Sequence, residues 1–131
     1  MTYNPNWSTG EEADSASLRG SIDIYTAITA IPIPNPFTKS RIESVRLFNA
    51  SRDLSSSVAT LTLGTTSGDD DLATSTAVTP LTTSEKILAM TLLADEVRTE
   101  ATLYLNVEAV DTDSDATVDY QITFSRLDLA L

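Results

Sequence analysis

The chain has no cysteine and no histidine in 131 residues. The first absence removes disulfides and any CxxC metal or redox site. The second removes the side chain that most neutral-pH acid–base catalysis uses, because imidazole titrates near working pH. Cations are scarce: 8 Lys and Arg face 19 Asp and Glu, for a net charge of −11. Phosphates are bound by clusters of Lys and Arg, so neither nucleic acid nor an anionic membrane is an expected partner. Aromatics make up 6 %, which leaves Leu, Ile, Val and Ala to build a core. No apolar run approaches the ~20 residues of a membrane helix. Residues 1–7 have neither the basic nor the apolar region of a signal peptide, so synthesis in a cytoplasm is expected.

What is present is Thr and Ser, 20 and 15 residues. Thr is β-branched and suits pleated, half-buried surfaces. With 41 % hydrophobic residues, the composition points to one all-β domain with polar strand faces. The acidity suits solubility, and it also suits a basic patch on a partner.

Residues 1–20 read as an N-terminal arm, with the acidic run Glu11-Glu12-Ala13-Asp14 and little periodicity. Trp7, the only Trp, is a candidate anchor there. Residues 21–131 read as the folded domain. Ile22, Ile24, Thr26 and Ile28 alternate with polar neighbours, as a strand does. In Ile31-Pro32-Ile33-Pro34-Asn35-Pro36-Phe37, three prolines at every second position exclude a central strand, because each lacks the ladder N–H. That piece is expected at a sheet edge. Arg41–Asn49 reads as a strand with Ile42 out of phase, which predicts a bulge. Val58–Leu63 and Leu72–Val78 follow as strands, and Ser84–Leu93 as a buried strand or short helix. Finally, Ala101–Glu108 and Thr117–Phe124 alternate on either side of a polar turn and read as a β-hairpin. Seven or eight strands at intervals of roughly ten residues form the pattern of a β-sandwich or jelly roll.

Few residues offer chemistry. Asp111-x-Asp113-x-Asp115 starts like a calcium loop, but the sixth position is Ala116 and the twelfth Ile122, where Gly and Glu are needed. It and Asp69-Asp70-Asp71 are therefore read as solvated turns, with no metal and no cofactor expected. Lys39 and Lys86 are available for a Ser–Lys dyad but lie in no motif for one. Gly64-x-x-x-Gly68 lacks the Lys and helix of a phosphate loop. No enzyme is expected.

The stretch Ala59-Thr60-Leu61-Thr62-Leu63-Gly64-Thr65-Thr66-Ser67-Gly68-Asp69-Asp70-Asp71-Leu72-Ala73 resembles the small all-β virion proteins of tailed double-stranded-DNA bacteriophages, of the head decoration (cement) and head-fibre type. It shares with them a strand ending in T-L-x-L-G, a short polar stretch with Asp, and an apolar re-entry. That resemblance implies a jelly-roll-like β-sandwich, a homotrimer, and a place on the outer surface of a capsid, bridging major capsid subunits. Trp7, Ile31, Ile33 and Phe37 are the expected interface anchors, as apolar residues outside regular core strands. The alternative is a tail, baseplate or fibre module that recognises a host glycan, for which Tyr104 and Tyr120 are the aromatics of interest.

Overall fold

The computed structural model describes residues 15–25, 30–93, 97–112 and 115–127. Among them are eight β-strands and no helix: β1 (Ser15–Asp23), β2 (Ala30–Pro34), β3 (Ser40–Phe48), β4 (Thr60–Gly64), β5 (Ala73–Ala77), β6 (Ile87–Ala89), β7 (Thr102–Ala109) and β8 (Thr117–Arg126). They form two four-stranded antiparallel sheets, ordered β1-β8-β3-β6 and β2-β7-β4-β5. The molecule is a β-sandwich.

The pairings have one geometric origin. β4 pairs with β5 through the turn that joins them, and β3 with β6, β2 with β7 and β1 with β8 continue outward from that turn. A chain doubled back at residues 65–72 thus makes a long two-stranded ribbon. Folding the ribbon over itself adds the β3–β8 and β4–β7 pairs. Among the described strands, the β4–β5 pair is the only sequential one within a sheet. The hairpin expected from Ala101–Glu108 and Thr117–Phe124 is therefore not formed. β7 and β8 lie in opposite sheets. Alternation fixes which residues face inward, but it does not choose the partner strand.

Burial follows the alternation. Leu103, Leu105 and Val107 of β7 meet Val118, Ile122 and Phe124 of β8 in the core, all with no accessible surface. Ile22, Val45, Leu47, Leu61 and Leu63 complete it from both sheets. Each such side chain contributes roughly 1.5–3 kcal/mol relative to exposure.

The prolines do what their chemistry requires. β2 is an edge strand. The Asn35 N–H bonds the Ala101 carbonyl, so odd-numbered residues of β2 point their backbone at β7. The nitrogens of Pro32 and Pro34 then face the open edge, where a missing N–H costs nothing. The bulge near Ile42 is present, between Ile42 and Ser44.

Two readings change. β1 begins at Ser15, so residues 15–20, expected in the arm, belong to the sandwich; residues 1–14 lie outside the described ones. The segment Ser84–Leu93 is neither buried strand nor helix. It holds a three-residue edge strand whose Ile87 is 65 % exposed, and only Met90 of its large apolar residues is buried.

Candidate functional surface

The two outer faces of the sandwich differ in kind. On the β2-β7-β4-β5 sheet, Thr62, Gly64 and Asn106 face outward and would be wet on a bare sheet, yet all three are buried. The β4–β5 loop folds back over them. Gly64 has no Cβ, and one placed there would meet the Asp69 carbonyl oxygen at 2.5 Å. Only glycine lets the loop lie this close.

Asn106, 2 % exposed, then pins it. Its Nδ2 donates to the Asp69 carbonyl at 2.8 Å and its Oδ1 accepts from the Gly68 N–H at 2.9 Å. The Thr62 hydroxyl donates to the same Asp69 carbonyl at 3.2 Å. A side-chain amide has a donor and an acceptor and can replace a strand partner in this way.

The acidic side chains of the loop point outward. Asp71 accepts from the Thr65 N–H at 2.9 Å and the Thr65 hydroxyl at 2.7 Å. Desolvation raises the Asp71 pKa, but these two hydrogen bonds, with a bond from its own backbone and the Arg98 charge, outweigh it, and the carboxyl lies below its ordinary value. The result is a fixed acidic ridge of Asp69, Asp70 and Asp71, joined on the same sheet face by Glu108.

The outer face of the β1-β8-β3-β6 sheet is mixed. Ser17 and Thr123 share a hydrogen bond at 3.1 Å, Asn49 donates to Asp119 at 2.8 Å, and Ser125 donates to Glu43. The Arg19 guanidinium lies 5.0 Å from the centre of the Phe48 ring, a cation–π distance. Arg19, Phe48, Asp119 and Tyr120 line an open groove of about 380 Å³. Exposed Ile87 sits beside Phe48 by register.

One end of the sandwich is organised by Asn35. Its Nδ2 donates to the carbonyls of Arg98 and Glu100, and its Oδ1 accepts from the Phe37 N–H and the Ser40 hydroxyl. This holds the 35–40 turn against residues 98–101. Phe37 is half-buried on the core there, with the Arg126 guanidinium 5.6 Å from its ring centre. Val97 and Leu127, 45 % and 37 % exposed, lie at the same end, tied in by the Arg98–Ser40 and Leu127–Lys39 backbone bonds.

The expected anchors separate accordingly. Trp7 lies outside the described residues. Ile33 is 1 % exposed and belongs to the core of its own domain, so it offers no surface to a partner. Ile31 is half-buried against that core. Of the three described anchors Phe37 alone sits at this end, and Val97 and Leu127 were invisible in the sequence because tertiary pairing brings them there. Tyr104 is half-buried on the outer face, between Pro32 and Gly64 by register, beside the acidic ridge. Tyr120 is 8 % exposed, and desolvation raises its hydroxyl pKa.

The Asp111 reading also changes. Rather than a solvated turn residue, Asp111 is 3 % exposed and bound to the Arg52 guanidinium at 2.5 Å. Arg52 also donates to the Asp115 and Asp53 carbonyls, so it staples two loops at the far end. Asp113 lies outside the described residues. Lys39 and Lys86 are exposed on loops.

No known family matches the chain, and no curated protein or solved structure is similar to it.

Proposed function

We propose that this is a structural virion protein, a decoration protein that binds the outer surface of a phage head and stabilises it by bridging major capsid subunits. The observation that carries the reading is the winding of the sandwich. The orders β1-β8-β3-β6 and β2-β7-β4-β5 fit a ribbon rolled up as in a jelly roll, an architecture common among capsid proteins. The acidic sheet face fits the side turned to solvent, since its charge keeps particles apart. The apolar end with Phe37, Val97 and Leu127 fits the side turned to the shell. Three copies around a threefold axis is the arrangement the resemblance implies. A contact made only in the assembled shell stabilises that shell by mass action. The role is structural rather than enzymatic.

Quantitative mass spectrometry of gradient-purified particles tests this. A ratio to the major capsid protein near one, or a simple fraction of it, is expected. Absence from particles refutes it. The second reading, a tail or fibre module for a host glycan, is favoured by Tyr104 beside the acidic ridge; a few copies per particle and glycan-dependent Tyr104 shifts would select it.

A further inference from the structure

We infer that the groove on the β1-β8-β3-β6 sheet binds a carboxylated sugar, with Arg19 as the receptor for its carboxylate and Ser21, Asp119 and Tyr120 as partners for its hydroxyls. The inference goes beyond the virion reading and does not rest on it. The site is also distinct from the Tyr104 face, which lies on the other sheet.

The groove is lined by Arg19, Gly20, Ser21, Phe48, Asp119 and Tyr120, all of them described residues, and holds about 380 Å³. That is at the small end of ligand sites, the scale of one sugar ring rather than of a folded partner.

Its polar groups have capacity to spare. The Arg19 guanidinium is held 5.0 Å from the centre of the Phe48 ring. Among the described residues no carboxylate forms an ion pair with it, in a chain with 19 Asp and Glu for 8 Lys and Arg. Stacking on the ring orients the guanidinium while its N–H donors stay in its plane, a fork that matches a carboxylate. Arg46, exposed and in register with Arg19 across Gln121, adds positive potential on the same face.

Tyr120 supplies a second, independent observation. The residue is 8 % exposed, and its hydroxyl sits against Gly20, in the space a Cβ would take. A buried tyrosine hydroxyl ordinarily has a hydrogen-bond partner. This one has none among the described residues, and desolvation alone raises its pKa. The exposed Ser21 hydroxyl is likewise unengaged. Asp119 uses Oδ2 to accept from Asn49 at 2.8 Å, which leaves Oδ1 as an acceptor.

A guanidinium suits a carboxylate, and a carboxylate with two hydroxyls suits several hydroxyls. Together they match a hydroxylated acid. A peptide strand fits less well, because β8 lies between β1 and β3, so its backbone is already in the ladder and only side chains are offered.

NMR titration of the full chain with glucuronate, glucose and a Glu-rich peptide tests the site. Glucuronate is expected to shift Arg19, Ser21 and Tyr120 saturably, with a Kd of about 1–10 mM, as an open site with few contacts gives. Arg19→Gln is expected to raise that Kd about tenfold and Tyr120→Phe about threefold, both with the thermal transition kept. Glucose is expected to bind at least tenfold more weakly. No saturable shift up to about 50 mM glucuronate overturns the inference. So do equal affinity for glucose, which removes the role of Arg19, and tighter binding of the peptide, which makes the groove a protein contact. A glucuronate response centred on Tyr104, or one that both variants leave unchanged, places the ligand elsewhere and overturns it as well. The titration uses the isolated chain, so its outcome is independent of copy number in particles.

Discussion

Replacing Asn106 by Leu tests whether one buried amide holds the acidic ridge in place. The two side chains are close in volume, so the change removes hydrogen bonds without opening a large cavity. Two bonds of ordinary length are lost, to the Asp69 carbonyl at 2.8 Å and from the Gly68 N–H at 2.9 Å. The longer contacts to Thr62 and Tyr104, at 3.3 and 3.4 Å, add little. Each ordinary bond is worth about 1 kcal/mol net, and leaving a buried partner unpaired costs more. The Thr62 hydroxyl still serves the Asp69 carbonyl, and the loop can lift so that water reaches Gly68. The expected loss is therefore about 2–3 kcal/mol. For a domain of this size that corresponds to a fall in Tm of about 6–12 °C. Chemical denaturation gives the energy, and hydrogen exchange gives its location: amides of residues 65–71 should lose protection first. A loss below about 0.5 kcal/mol, or unchanged exchange in that loop, refutes the clamp.

Other perturbations follow from the same contacts. Gly64→Ala drives a Cβ into the Asp69 backbone and should cost about 1–3 kcal/mol in urea unfolding, with the loop exchange of the Asn106 variant. Gly20→Ala drives a Cβ against the Tyr120 hydroxyl. It should be destabilising in wild type and less so with Tyr120→Phe, a coupling that a double-mutant cycle reads. Arg52→Ala leaves the Asp111 carboxylate buried without its guanidinium; because Arg52 is itself partly exposed, the expected cost is about 2 kcal/mol rather than the full penalty of a broken buried pair. The Asp71 carboxyl is held below its unfolded value of 3.8 by Thr65. A depressed pKa gives stability that is present above the unfolded value and lost as pH falls through the folded one. Loop 65–71 should thus loosen below about pH 4, and Asp71→Asn should remove that step in an exchange or fluorescence titration.

The edge position of the proline segment was legible because a missing N–H is a local fact that holds in any fold. The bulge near Ile42 was legible for a similar reason, since alternation slips by one residue there and a slip must be absorbed. The inward residues of β7 and β8 were read correctly from period two alone. The surface was less accessible. Asn106 sits at an outward position of a strand, where the pattern predicts a wet side chain; only the returning loop buries it. Asp111 looked like a turn residue because its partner, Arg52, is distant in the chain. Phe37 stood out as apolar in an irregular stretch, whereas Val97 and Leu127 carry no signal until the 35–40 turn is placed beside them.

The sequence by itself determined the class of object. The Thr-rich alternation, the scarcity of aromatics and the punctuating turns dictate an all-β chain with one apolar face per strand, because those are properties of each residue and its two neighbours. Tertiary structure decided the partners. β7 and β8 were equally able to form a hairpin or to face each other across the core, since both arrangements bury the same residues. Doubling the chain at residues 65–72 puts every strand but one pair into the opposite sheet from its neighbour. That choice rests on the summed packing of both sheets and the pinning of the loop by Asn106, and no short stretch of sequence contains it.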